Sequence, residues 1–156
     1  MARPQPQPTK SKAHKTSDEL QVERLHKGYA QSMEITKVLA DEQSQFQHIR
    51  IFDTVANGRV MTLDDIVQIT SRDESAYADM LTHLPMLEHG KVERVMIVGG
   101  GDLSIADEAL KHKSIKEVVL VDIDARVVEL CRAHFGAVNA RAFKDKRLTI
   151  EIADAF

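Results

Sequence analysis

The segment Val98-Gly99-Gly100-Gly101-Asp102 concentrates more chemistry than any other stretch of this 156-residue chain. It follows an apolar run at 94–99 (RVMIVG) and precedes a helical pattern, so it falls where a strand turns into a helix. Glycines at such a point permit a tight turn and let backbone N–H groups approach a ligand closely. Gly99 and Gly101 fit the first two glycines of the G-x-G-x-x-G dinucleotide pattern, while Ser104 stands where the third would be. For the glycines alone, a strand–helix turn without a ligand is a fair competing reading. Asp122 adds the second piece. It ends the next strand pattern, 21 residues after Gly101. An acid about 20 residues beyond the glycine turn can accept from both ribose hydroxyls. Asp124 has a plainer role, as N-cap of the helix that starts at 125. The turn contains no basic residue, and Asp102 would repel a pyrophosphate. A cationic nucleoside derivative, such as an adenosyl sulfonium compound, satisfies both constraints.

The strands and helices around these residues follow from the pattern along the chain. Residues 1–17 alternate Pro4, Pro6 and Pro8 with glutamine and then run into Lys, Ser and Thr, the composition of an unstructured tail. From about 29 to 70 the pattern is that of short strands. FQHIRIFDT at 46–54 leads to Asn57-Gly58, a hairpin signal because both residues accept positive φ; RVMTL at 59–63 returns; Asp64-Asp65 turns; IVQIT at 66–70 follows. Residues 33–39 fit either a strand or a short helix, and Glu23, Arg24 and His26 have no assignable role. At 73–87, Tyr77, Met80, Leu81, Leu84 and Leu87 recur at helical steps, with Ser71 or Asp73 able to cap the start and Pro85 expected to end or kink the helix. An α/β rhythm comes next. Buried strands at 94–99, 117–123 and 147–153 alternate with helices at 105–112 and 125–135, which is half of a Rossmann-like doubly wound fold with strand order 3-2-1. The domains expected are a tail at 1–17, an N-terminal antiparallel β-domain at 18–75, and a Rossmann-like nucleoside-binding domain at 76–156.

Composition sets the outer limits. A net charge of −3 argues against general nucleic-acid or membrane-surface binding. Apolar residues make up 43% of the chain, enough for a packed core. No run approaches the ~20 apolar residues of a membrane helix, and the basic N-terminus lacks the apolar segment of a secretory signal. Cys131 is the only cysteine. It lies on the apolar face of its helix and reads as an inert core thiol in a reducing, cytoplasmic setting. The seven histidines are scattered, with no pair at metal-ligand spacing beside a supporting carboxylate, so no metal is expected. His83 and Met80 read as packing or surface residues.

Several segments together resemble the spermidine synthase (polyamine aminopropyltransferase) family. The run 67–77, VQITSRDESAY, resembles its VQxTxRDExxY signature; GRVMTLDD at 58–65 resembles GRVMxLDG; Thr82-His83-Leu84-Pro85 resembles THxP. The GGGD turn, the strand end at 121–124 and Asp154-Ala155-Phe156 follow in family order, so the resemblance covers about 29–156. It implies a class I methyltransferase-like fold behind an N-terminal β-domain. It also implies transfer of an aminopropyl group from decarboxylated S-adenosylmethionine, a cosubstrate, to putrescine or a similar diamine. No metal or prosthetic group is implied. Gln47 and Asp102 would contact the aminopropyl end of the donor, Asp102 its ammonium. Asp122 would hold the ribose, and Asp154 would lie near the adenine. Gln68 and Tyr77 would line the junction of donor and diamine sites. A homodimer or homotetramer is expected, with no nucleic acid or membrane as partner.

The same resemblance implies that the chain stops before the family's fold and site are complete. The aspartate expected to deprotonate the amine lies in a D-S-[TS]-D-P motif beyond Phe156. Without a neighbour on its other side the 94–99 strand would be an apolar edge, and the 156 residues alone are expected to be inactive and unstable as a monomer. Four positions depart from the family pattern: Leu103 replaces a glycine, Asp107 an arginine, Ala78 a Gln or His that helps hold the donor, and Ala155 the glycine of a DG pair. A non-catalytic relative that keeps the nucleoside site or the dimer surface is the alternative reading. A plain methyltransferase is weaker, because the VQxTxRDE segment has no place in one.

Overall fold

The structure, a computed structural model, describes residues 19–155. The expected 1–17 tail and Phe156 lie outside the described residues. Five antiparallel strands come first: β1 (Leu20–His26), β2 (Tyr29–Gln43), β3 (His48–Thr54), β4 (Gly58–Leu63) and β5 (Ile66–Thr70), each paired with the next in chain order. The ambiguous 33–39 segment is strand, within the 15 residues of β2. β1 extends the sheet beyond the expected start near 29. Its alternation is inverted, which explains why it was unreadable. Gln21 and Glu23 face inward, and Leu20, Val22 and Leu25 are exposed. The buried polar pair is satisfied: Gln21 accepts from Arg50 Nη1 at 3.0 Å, and Glu23 accepts from the Val67 N–H at 3.0 Å.

Both β-turns are present, with one correction. Asp64 and Asp65 both have positive φ, 49° and 66°, between the paired residues Leu63 and Ile66. That is the backbone of a two-residue hairpin turn of type I′. The Asp64 carboxylate helps hold it by accepting from the His48 N–H at 2.8 Å. At the β3–β4 turn, only Gly58 takes positive φ, and Thr54 pairs with Gly58 across three loop residues. Asn57 therefore keeps ordinary φ, and Gly58 opens β4.

Helix α1 spans Glu74–His89 and differs from expectation in three ways. Asp73 precedes it, but its Oδ1 accepts from the Thr70 hydroxyl rather than from a helix N–H, and Ser71 Oγ accepts from the Arg59 N–H. The helix runs through Pro85 to Gly90, whose positive φ of 81° and bond to the Met86 carbonyl end it. Ala78, Thr82 and Met86 are the buried residues, whereas Tyr77, Met80, Leu81, Leu84 and Leu87 face outward. The apolar periodicity located a helix but not its buried face.

The second sheet is parallel, in the order β6 (Arg94–Val98), β7 (Glu117–Asp122), β8 (Leu148–Ile152), which is the expected 3-2-1 counted from β8. Among the described residues β6 pairs only with β7, and Met96 and Val98 stay 62% and 59% exposed. Helices α2 (Ser104–Ala109), α3 (Ala125–His134) and α4 (Gly136–Asn139) complete the order. One core gathers Ile97, Leu103, Ala106, Leu110, Val118 and Leu120 between this sheet and α2. A second joins the first sheet to the α3 segment: Ile49, Ile51, Met61 and Ile69 pack on Val127, Leu130, Cys131 and Phe135. Each fully buried Val, Leu, Ile, Met or Phe among them contributes roughly 1.5–3 kcal/mol. Cys131 is the inert core thiol expected, fully buried with its pKa pushed up by desolvation.

Candidate functional site

Three parallel strands deliver their carboxyl ends to one edge, where ligands of open α/β sheets bind. Gly99–Asp102 follows β6, Asp122 ends β7, and Ala153 and Asp154 follow β8. The first turn is held by its neighbour strand. Gly99 and Gly100 have φ of 77° and 73°, and the Gly99 N–H donates to the Val121 carbonyl at 2.8 Å. Gly101 serves another purpose. A Cβ there would lie 2.8 Å from Asp122 Oδ2 and 3.1 Å from Val127 and Val128 side-chain carbons. The missing side chain makes room for the Asp122 carboxylate, which accepts from the Gly101 N–H at 2.9 Å and from the Asp124 N–H at 2.9 Å. Asp122 thus ties the ends of β6 and β7 together.

Asp124 is the helix cap expected, accepting from the Arg126 N–H at 3.0 Å. It also reaches the first sheet: its Oδ2 accepts from Ser44 Oγ at 2.6 Å and from Gln47 Nε2 at 3.0 Å. Gln47 therefore sits on Asp124, beside a shallow cleft of about 510 Å³ lined by Phe46, Ile123, Arg126, Ile152 and the exposed Asp154.

Asp102, Gln68 and Tyr77 do come together. They line a separate cleft of about 340 Å³ with Thr70, Asp73, Glu74 and Ser104. Its charged lining residues are Asp73, Glu74 and Asp102, with no Lys, Arg or His among the described residues that line it. Asp102 Oδ1 accepts from the Ser104 N–H at 2.8 Å, so one oxygen caps the start of α2. Asp73 and Glu74 were missed as site residues. They lie inside the VQITSRDESAY run, where Asp73 fits a helix cap, and a pattern does not reveal which carboxylates a fold will aim at one cavity. Burial, with Glu108, Asp102 and Asp79 nearby, raises the Glu74 pKa above its usual value.

That shift has a sign that can be measured. A carboxyl whose folded pKa is raised contributes stability that is complete below its unfolded pKa of 4.5 and is lost as pH rises through the folded value. Glu74→Gln is expected to remove this loss. Denaturant midpoints from pH 4 to 7 should show the variant gaining on the wild type as pH rises; a constant difference would reject the shift.

Three departures acquire structural meaning. Leu103 adopts φ 67°, a left-handed conformation glycine would take freely, yet its side chain is fully buried in the core around α2. It does not crowd the cleft. Ala78 is fully buried on the inner face of α1. Asp107, where the pattern has arginine, is buried and accepts from the Ala142 N–H at 3.0 Å while pairing with Arg141.

An antiparallel sheet followed by a parallel sheet with helices, with a glycine turn and an acid at successive strand ends, defines a methyltransferase-like fold class. Comparison with known proteins gives the family. A spermine/spermidine synthase domain matches residues 74–156, and a spermidine synthase tetramerisation domain matches 20–71. The chain belongs to the spermine/spermidine synthase family. Similar proteins include a polyamine aminopropyltransferase of Ruegeria sp., 42% identical over 89% of this chain and 49% of the relative. Another, from Klebsiella pneumoniae, is 44% identical over 85% of this chain and 46% of its own length. The crystal structure of Thermotoga maritima spermidine synthase superposes with a TM-score of 0.86 at 32% identity, covering 92% of this chain and 51% of that one. A spermidine synthase in complex with the transition-state analogue AdoDATO gives 0.85 at 32% identity, covering 92% and 49%. The chain spans about half the length of the relatives it matches.

Proposed function

We propose that this chain forms the donor-binding half of an aminopropyltransferase that moves the aminopropyl group of decarboxylated S-adenosylmethionine onto putrescine. The observation that carries this reading is the cleft in which Asp102, Asp73 and Glu74 meet Gln68 and Tyr77 beside the glycine turn. Both substrates are cations, and a cleft lined by carboxylates favours them over anionic nucleotides. Asp102 pairs with the donor ammonium. Asp122 accepts from the ribose, and Asp154 lies near the adenine.

The reaction is a direct displacement. The neutral amine nitrogen of the diamine attacks the methylene carbon next to the sulfonium. The C–S bond breaks, its electron pair stays on sulfur, and methylthioadenosine leaves. Sulfonium is already a good leaving group, so the protein mainly supplies alignment and a site for the proton the amine gives up.

We further infer that copies of the chain associate through the first sheet. β1 turns Leu20, Val22 and Leu25 outward while burying Gln21 and Glu23, an arrangement that favours a protein partner over water on its apolar side. The buried lone thiol supports a reducing compartment, and we place the reaction in the cytoplasm. The test is methylthioadenosine release by the full gene product carrying these residues. Release that depends on both decarboxylated S-adenosylmethionine and putrescine is expected; none above a no-enzyme control would refute the proposal.

A further inference from the structure

We propose that Asp79, His83 and Glu108 form a three-ligand site for a divalent transition ion of the zinc class, on the seam between α1 and α2, with His112 as its positioning residue. Asp79 and His83 are four residues apart and so share one face of α1. Glu108 comes from α2. One ligand atom from each lies within 4.8 Å of the others. His83 Nε2 is 3.1 Å from Glu108 Oε2 and 3.6 Å from Asp79 Oδ1. A tetrahedral zinc ion with bonds of about 2.0–2.2 Å holds its donors about 3.3–3.5 Å apart, so two of the three separations need little adjustment.

The second observation lies behind the imidazole. His83 Nδ1 is 2.8 Å from His112 Nε2. A metal-bound histidine almost always donates its other N–H to an acceptor that fixes ring orientation and tautomer. With the proton on His83 Nδ1 and donated to His112, the Nε2 lone pair faces the two carboxylates. Without an ion, the opposite tautomer lets Nε2–H donate to Glu108 while His112 donates to Nδ1. The same heavy atoms serve both states.

Charge favours occupancy. Glu108 is buried, and Glu74, close enough to feel the charges of Glu108 and Asp79, adds a carboxylate nearby. Its present counter-ion is Lys111, a neighbour on the same stretch of chain with a half-exposed side chain. Lys111 can swing into water when a divalent ion arrives. Imidazole among the ligands selects zinc-class ions over magnesium, and three protein ligands leave a fourth position for water. An ion there would pin α1, which supplies Glu74 and Tyr77 to the acidic cleft, against α2, which supplies Ser104.

The experiment is a titration of chelator-stripped protein with zinc chloride, followed by calorimetry and by the thermal midpoint. The wild type should take up one equivalent at this site and melt higher with zinc than without. His83→Ala should remove that equivalent and the gain in midpoint. Asp79→Asn, at an exposed position that tolerates change, should weaken binding clearly, and His112→Ala should weaken it about 10–100-fold. Lys111→Gln, which removes the competing cation, should tighten it. Absence of a stoichiometric equivalent in the wild type would overturn the proposal. So would uptake unchanged in both His83→Ala and Asp79→Asn, or equal uptake of magnesium.

Discussion

Asp122→Ala is expected to cost about 2–5 kcal/mol of folding stability, more than loss of a ligand contact alone would explain. The carboxylate is buried at the end of β7 and accepts from two backbone N–H groups, those of Gly101 and Asp124. Truncation leaves both donors in a protein interior with no partner, and each buried unsatisfied group costs roughly 1–3 kcal/mol. It also opens the space that Gly101 keeps clear. A carboxylate offers about four lone-pair sites, so the two backbone bonds leave capacity for ribose hydroxyls. Loss of that contact should weaken nucleoside binding by a further 1–3 kcal/mol or so in whatever fraction remains folded. Urea unfolding of wild type, Asp122→Ala and Asp122→Asn should rank them in stability with Asn between, because its amide keeps one acceptor oxygen. An alanine variant within about 0.5 kcal/mol of wild type, as for a featureless surface change, would show that the carboxylate does not hold the strand ends.

In the full gene product, Asp102→Asn is expected to lower kcat/KM for the aminopropyl donor about 10–100-fold and leave stability nearly unchanged. The asparagine oxygen can still accept from the Ser104 N–H, so the start of α2 keeps its cap. The change removes only the charge that faces the cleft. A hydrogen bond to a charged group contributes roughly 1.5–3 kcal/mol, and each 1.4 kcal/mol is about a factor of ten. Steady-state kinetics at subsaturating donor, with a melting curve beside them, would separate the two effects. Wild-type kcat/KM would remove Asp102 from the donor site, and a large fall in melting temperature would make it a structural cap instead.

The sequence made the α/β portion legible because its signals are local. Continuous apolar runs gave β6 and β7, glycines gave the turn after β6, and Asp124 gave the start of α3. The first sheet was half legible. β3 to β5 carry ordinary alternation and turn residues, but β1 buries Gln21 and Glu23 and exposes its apolar residues, so alternation pointed the wrong way. At the site, spacing found Asp102 and Asp122, and the resemblance added Gln68 and Tyr77, which line the same cleft as Asp102. It also assigned Gln47 to the aminopropyl end beside Asp102, whereas Asp124 holds Gln47 next to the second cleft. Asp73 and Glu74, and the meeting of His83 with Glu108 and His112, arise from packing between α1 and α2. Residues 29 apart, as His83 and His112 are, leave no periodic trace of such a contact.

Comparative titration of decarboxylated S-adenosylmethionine and S-adenosylmethionine isolates the role of the acidic cleft, because the two differ by one carboxylate. Methylthioadenosine, which lacks the cationic arm, serves as the reference for the nucleoside portion alone. Asp73, Glu74 and Asp102 line the cleft, and like charges about 4 Å apart near a protein surface repel by roughly 4 kcal/mol before screening. The decarboxylated compound should bind about tenfold or more tightly than S-adenosylmethionine, and Asp102→Asn should narrow the gap. Equal affinity, or a preference for S-adenosylmethionine, would contradict this role of the cleft.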